Sequence, residues 1–199
     1  LAHAEFQGAN MRGVNLQGAS LIKANFQGVN LIEANLQSVR LSNANLQGAH
    51  LNNANLQGAS LALAKLQGAN FNNTKLQGVG LMYAELQGAN LRGANLQGVD
   101  LTYAKLQGAK LAHAEFQGAN MRGVNLQGAS LWSTELQGAD LEKADLKLVN
   151  LTYAKFGKMS EQGAKDLLTE IPQTIGLPSR LKKLKLRLSE ATNLRKAQG

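Results

Sequence analysis

The chain has no cysteine, two prolines and an aromatic content of 5%. Without cysteine there is no disulfide and no thiol for redox or nucleophilic chemistry. No apolar run is long enough to cross a membrane as a helix. No signal-peptide pattern opens the chain; the cytoplasm is the expectation by default only. The first residue, Leu1, lacks the small and polar residues that precede later leucines, as in a partial chain. Acidic residues are the minority, 13 against 21 Lys and Arg, for a formal net charge of +8. Few aromatics and 21 glycines would suggest disorder in another chain. Here they follow from a repeat.

The repeat is clearest in LQGANLRGANLQGVDL, residues 86–101, where Leu86, Leu91, Leu96 and Leu101 stand five apart. Stepping by five from 1 to 156 gives 32 centres, all Leu except Phe6, Met11, Phe26, Phe71, Phe116, Met121 and Phe156. Two residues before each later centre stands Ala, Val or Thr. A period of five suits neither the helix nor the strand. Fixed internal repeats point to a solenoid, in which each unit covers its neighbour's apolar face.

The A-[N/D]-L-x-x pattern resembles the pentapeptide-repeat family, over about four-fifths of the chain. The resemblance implies an all-β solenoid: a right-handed quadrilateral β-helix of about eight coils, with four pentads in each 20-residue coil. The centre and the small residue two before it would point inward, and the other three outward. One large and one small side chain per side suit a square interior. Coils at the usual strand spacing of about 4.8 Å would build a rod of roughly 38 Å.

A period of ten lies over the period of five. Gln follows the centre at every tenth position from Gln7 to Gln137, and Gly follows Gln except at Ser38. These pentads fall on two opposite sides, where Gln47, Gln67 and Gln87 would stack. Such amides either bond along the stack or simply suit the turn. Residues 1–20 and 111–130 are identical. Their offset of 110 residues is five and a half coils, which puts the copies on opposite sides and favours a generic spacer use.

The other two sides vary. One carries Leu63, Tyr83 and Tyr103, each 20 apart, with Met82 beside them. An exposed apolar stripe marks an interface, or else Tyr stacks on Tyr for coil stability alone. The opposite side carries Trp132 and Tyr153 in adjacent final coils, for which the C-terminal segment is the natural cover. Lys65, Glu85 and Lys105 form a candidate salt-bridge ladder of little energetic weight.

The pattern ends after Phe156, which divides the chain into a β-helix over 1–158 and a C-terminal α-helical segment over 159–199. Ser160 suits the N-cap of a short helix over about 161–170, and Ser179 that of a second helix to about Lys196. Leu177, Leu181, Leu184, Leu188 and Ala191 make one apolar stripe. Three uses compete for this segment: capping the last coil, pairing with a second copy, or binding an acidic surface through its basic face. The cap or dimer contact would join Trp132 and Tyr153 to Leu181, Leu184 and Leu188. Nucleic acid or an anionic membrane surface is the weakest use, because the segment's net charge is modest.

No catalytic or metal constellation is present. His3, His50 and His113 are isolated, and a zinc site needs convergent ligands. The glycines follow Gln at a spacing of ten and form no phosphate loop. No carboxylate pair stands out for acid–base work. The reading is a non-enzymatic scaffold or protein-binding solenoid with no cofactor, a protein partner at Leu63, Met82, Tyr83 and Tyr103, and a possible homodimer. The resemblance also implies an alternative, a DNA-mimic modulator of gyrase of the quinolone-resistance type. The basic charge disfavours it, since a duplex carries a dense negative field.

Overall fold

A computed structural model describes residues 3–157 and Gly176. Parallel bridges join residues 20 apart, from Glu5↔Asn25 to Glu135↔Lys155. The bridging residue is the one before each centre, so the bridges form four columns along a four-sided β-helix. The expected α-helical segment, with its cap residues and Leu181, Leu184 and Leu188, lies outside the described residues.

One pentad shows why the period is five. Leu96 N–H donates to the Glu115 carbonyl in the next coil at 2.7 Å, and Gly98 N–H to the Gln117 carbonyl at 3.0 Å. Asp100 N–H donates back to the Val79 carbonyl at 3.0 Å, and Val99 N–H closes the turn on the Leu96 carbonyl at 3.1 Å. The fifth donor, Gln97 N–H, is taken by Asn95 Oδ1 at 3.1 Å. All five backbone donors of this pentad are thus satisfied. The preference for Asn or Asp before each centre follows, because a short side-chain carbonyl reaches the N–H two residues on.

All the turns share one geometry. The residue two after the centre has positive φ at all 31 positions from His3 to Tyr153. A 4→1 bond with positive φ at the third residue alone describes a type II turn, which favours Gly there.

The inward residues form one continuous core. Leu21, Ala24, Phe26 and their successors through Leu151 and Ala154 are buried, except Ala139 and Leu141, which are partly buried. The first coil's Phe6, Met11 and Leu16 are only partly buried, and Phe6 stacks on Phe26 at 4.9 Å. Thr74 and Thr134 fill small slots, where their hydroxyls donate to the Leu51 and Leu131 carbonyls at 2.8 and 2.9 Å. A polar group is tolerated inside because it is paired.

The Gln columns bond along the stack in places. Gln7 donates to Gln27 at 3.0 Å and Gln37 to Gln57 at 3.4 Å. At Gln67 the amide turns instead to Glu85, at 2.7 Å. A carboxylate is the stronger acceptor. The Oε1 atoms of Gln67 and Gln87 are buried without a partner.

Candidate protein interface

Register brings Leu63, Tyr83 and Tyr103 into one outward column, with Met82 in the column beside it. All four are exposed, at 54%, 48%, 51% and 38% respectively. The Tyr83 and Tyr103 rings stack with centroids 5.5 Å apart and planes inclined by 17°. Tyr103 then lies over Gly123 in the next coil: a Cβ there would come within 2.5 Å of the ring. The stripe therefore ends where a glycine makes room for its last ring. Beside Met82 stands Gly80, the one glycine among the bridging residues, and a Cβ there would meet open space.

The backbone under the stripe is unusual for such side chains. Leu63, Tyr83 and Tyr103 have φ of 60°, 57° and 54°. An L-residue there loses about 1–2 kcal/mol. The two Gln sides use Gly at 13 of 15 such positions, and the two variable sides at only 3 of 16. Glycine is the default, and the variable sides depart from it.

A short charge ladder flanks the stripe. Lys105 Nζ lies 3.0 Å from Glu85 Oε1. The Lys105 hydrogen bond is the main cause holding the Glu85 carboxyl below its ordinary range, and Lys65 adds a weaker attraction. On the other flank, Asp100 Oδ1 accepts from Thr102 N at 3.0 Å and from its hydroxyl.

A second aromatic group lies on the opposite side. Trp132 meets His113 edge-on at 4.6 Å and Tyr153 edge-on at 5.9 Å. Tyr153 remains 70% exposed. Gly176 is seated against Thr152, close enough that a Cβ on it would fall 2.7 Å from Thr152 Cβ. Leu148, 50% exposed with φ of 58°, escaped the sequence reading. Its signal is LKL at 146–148 where LQG recurs in the coils below.

The identical segments meet different neighbours. Arg12 pairs with Glu33 at 3.0 Å, while its copy Arg122 pairs with Asp140 at 3.2 Å and with Glu142. The hydrogen bond to Asp140 is the main cause raising the Arg122 pKa, with Glu142 adding to it. Among the described residues no group of His, Asp and Glu could hold a metal ion.

Family models match nearly all of the solenoid: the pentapeptide repeat region over 1–79, and pentapeptide repeats over 81–118 and 114–152. No curated protein matches the chain by sequence. Among solved structures, the full-length plasmid-mediated fluoroquinolone resistance protein QnrB1 is 19% identical over 90% of this chain and 99% of its own, with a TM-score of 0.50. HetL, involved in heterocyst differentiation regulation in the cyanobacterium Nostoc sp. strain PCC 7120, is 28% identical over 80% and 92%, with a TM-score of 0.33. A pentapeptide repeat protein of the Arabidopsis thaliana thylakoid lumen is 22% identical over 85% and 83%, with a TM-score of 0.29. The architecture in common is the right-handed quadrilateral β-helix.

Proposed function

This chain belongs to the pentapeptide-repeat family, and from that premise we propose that it is a non-enzymatic scaffold holding a protein partner against Leu63, Met82, Tyr83 and Tyr103. The observation that carries the reading is that three successive coils put bulky apolar side chains, exposed and on positive-φ backbone, into one column. Glycine would relieve the turn, as it does on the Gln sides. Side chains kept against such a cost cluster where a surface is used. Stacked, fixed rings also lose little entropy on binding.

The second part of the proposal concerns residues 159–199. They form a helical cap or dimerisation element, with Leu181, Leu184 and Leu188 against Trp132 and Tyr153. The seat of Gly176 on Thr152 supports this, since it brings the chain back beside Trp132. Duplex mimicry directed at gyrase is the weaker reading. A mimic needs an acidic surface, and residues 3–157 carry 12 Lys and Arg against 9 Asp and Glu.

The test is the double variant Tyr83→Gly, Tyr103→Gly. Capture of the partner should be lost while the β-rich circular dichroism is kept. Capture that survives with the fold intact would sink the stripe as the docking surface.

A further inference from the structure

In the middle coils the opposite variable side is polar where the stripe is apolar. Over three coils it presents Asn52, Asn53, Asn70, Asn72, Asn73 and Asn90 outward. Lys75, Arg92 and Lys110 stand among them, all exposed. None of the three has an ion pair among the described residues, whereas Lys105, Arg122 and Lys155 elsewhere on the rod do. The acids of the middle coils, Glu85 and Asp100, lie at the two edges of the tyrosine side. On the asparagine side the nearest acids along the rod are Glu33 below and Glu115 above. Glu115 is already engaged by Asn95 and Gln97, both at 2.9 Å.

Register sets the three cations in a line. From Lys75 to Arg92 is 17 residues and from Arg92 to Lys110 is 18, each just short of the 20-residue coil. Each step therefore climbs one coil and moves back across the side. The row runs diagonally from one corner to the other, with Arg92 at mid-side. The Asn amides around it offer both donors and acceptors. Of the ring side chains on this side, His50 lies below the row, and His113, Trp132 and Tyr153 lie at its upper end and beyond.

We propose that this asparagine side is a sequence-independent contact for the phosphate backbone of double-stranded nucleic acid. A row of unpaired cations follows a line of phosphates, and the Arg fork and Lys ammonium both suit phosphate oxygens. Asn side chains add hydrogen bonds to phosphate or sugar without repelling them. Single strands need stacking platforms along their path, and between Lys75 and Lys110 the row passes no outward Phe, Tyr or Trp side chain. The inference does not depend on the protein-docking stripe, which lies on the opposite side of the rod.

The experiment uses the full chain and a 25-base-pair duplex of arbitrary sequence, followed by fluorescence anisotropy between 50 and 200 mM salt. The variant carries Lys75→Gln, Arg92→Gln and Lys110→Gln. The control carries Lys23→Gln, Arg40→Gln and Lys65→Gln, an equal loss of charge from exposed, unpaired cations elsewhere. The site variant should lower the slope of log affinity against log salt by about 2.7, as three phosphate contacts require. The wild-type advantage over it should then shrink by about 40-fold across that salt range. The control should keep the wild-type slope and most of the affinity. Equal losses in both variants, or no loss in the site variant, would overturn the proposal. So would tighter binding of a single strand, or binding of phosphatidylserine vesicles without binding of the duplex.

Discussion

Tyr83 and Tyr103 stack at 5.5 Å on backbones whose φ values of 57° and 54° belong to glycine's region. Stacking offsets part of that cost, at about 0.5–1.5 kcal/mol for an aromatic pair. Leu63 has the same backbone, φ 60°, and no ring partner. Leu63→Gly should therefore stabilise the fold by about 1 kcal/mol. A urea midpoint that rises at constant m-value is the expected result. A fall of similar size would mean that Leu63 packs against its column in a way that outweighs the strain.

Gly13 and Gly123 occupy equivalent places in identical 20-residue segments. Both have positive φ, yet a Cβ at Gly13 meets nothing within 4 Å and one at Gly123 runs into the Tyr103 ring. Gly13→Ala should cost about 1 kcal/mol from the backbone alone. Gly123→Ala should cost visibly more and change tyrosine fluorescence as Tyr103 moves. Chemical denaturation of the two variants side by side checks this. Equal losses would contradict the seat of the Tyr103 ring on Gly123.

How far these features could be read from the sequence depends on what the period constrains. Leu91 and Ala94 are legible as core because the interior admits one large and one small residue per side. The Tyr83–Tyr103 stack is legible because residues 20 apart must lie one above the other. The shared positive φ is less so: alternating Gly and bulky residues hides the fact that all four turns have the same geometry. Side-chain pairing lies beyond the period as well. Arg122 reaches Asp140 and Glu142 through its own reach and rotamer, and Gln67 leaves its column for Glu85. Leu148 is not legible because it departs from a side otherwise uniform in Gln and Gly. Residues 159–199 carry an apolar stripe but no period of five, and such a stripe can pack on a coil end or on a second copy equally well.

The cap before each centre gives a direct test of the turn chemistry. Asn125 Oδ1 accepts from Gln127 N–H at 3.0 Å. Asn125→Ala should cost about 0.5–1.5 kcal/mol, the net worth of an ordinary hydrogen bond. Lys65→Ala, at a bridging position without such a bond, should cost less. Thermal melts of both variants decide it, and an equal cost would remove the Asx bond as the reason for Asn at these positions.

Two carboxyls carry a pH signature. The hydrogen bond from Lys105 lowers the pKa of Glu85, and that from Lys155 lowers the pKa of Glu135. A lowered folded-state pKa stabilises above the unfolded value, and that stability is lost as pH falls through the folded value. Each carboxyl should titrate by NMR below the ordinary glutamate value of about 4.3. Lys105→Gln should raise Glu85 alone and Lys155→Gln should raise Glu135 alone. Movement of both carboxyls in either variant would contradict independent pairs.

The central claim is that the tyrosine side is the working surface of the rod. Site-specific photo-crosslinking tests it most directly, with a benzophenone amino acid at Tyr83 or at Asn43, which shares the same column two coils lower. The full chain would be irradiated in native extract and the adducts resolved by mass. A discrete adduct from position 83 that is absent from position 43 is the result expected of a docking stripe. No adduct at 83, or the same adducts at both positions, would contradict it.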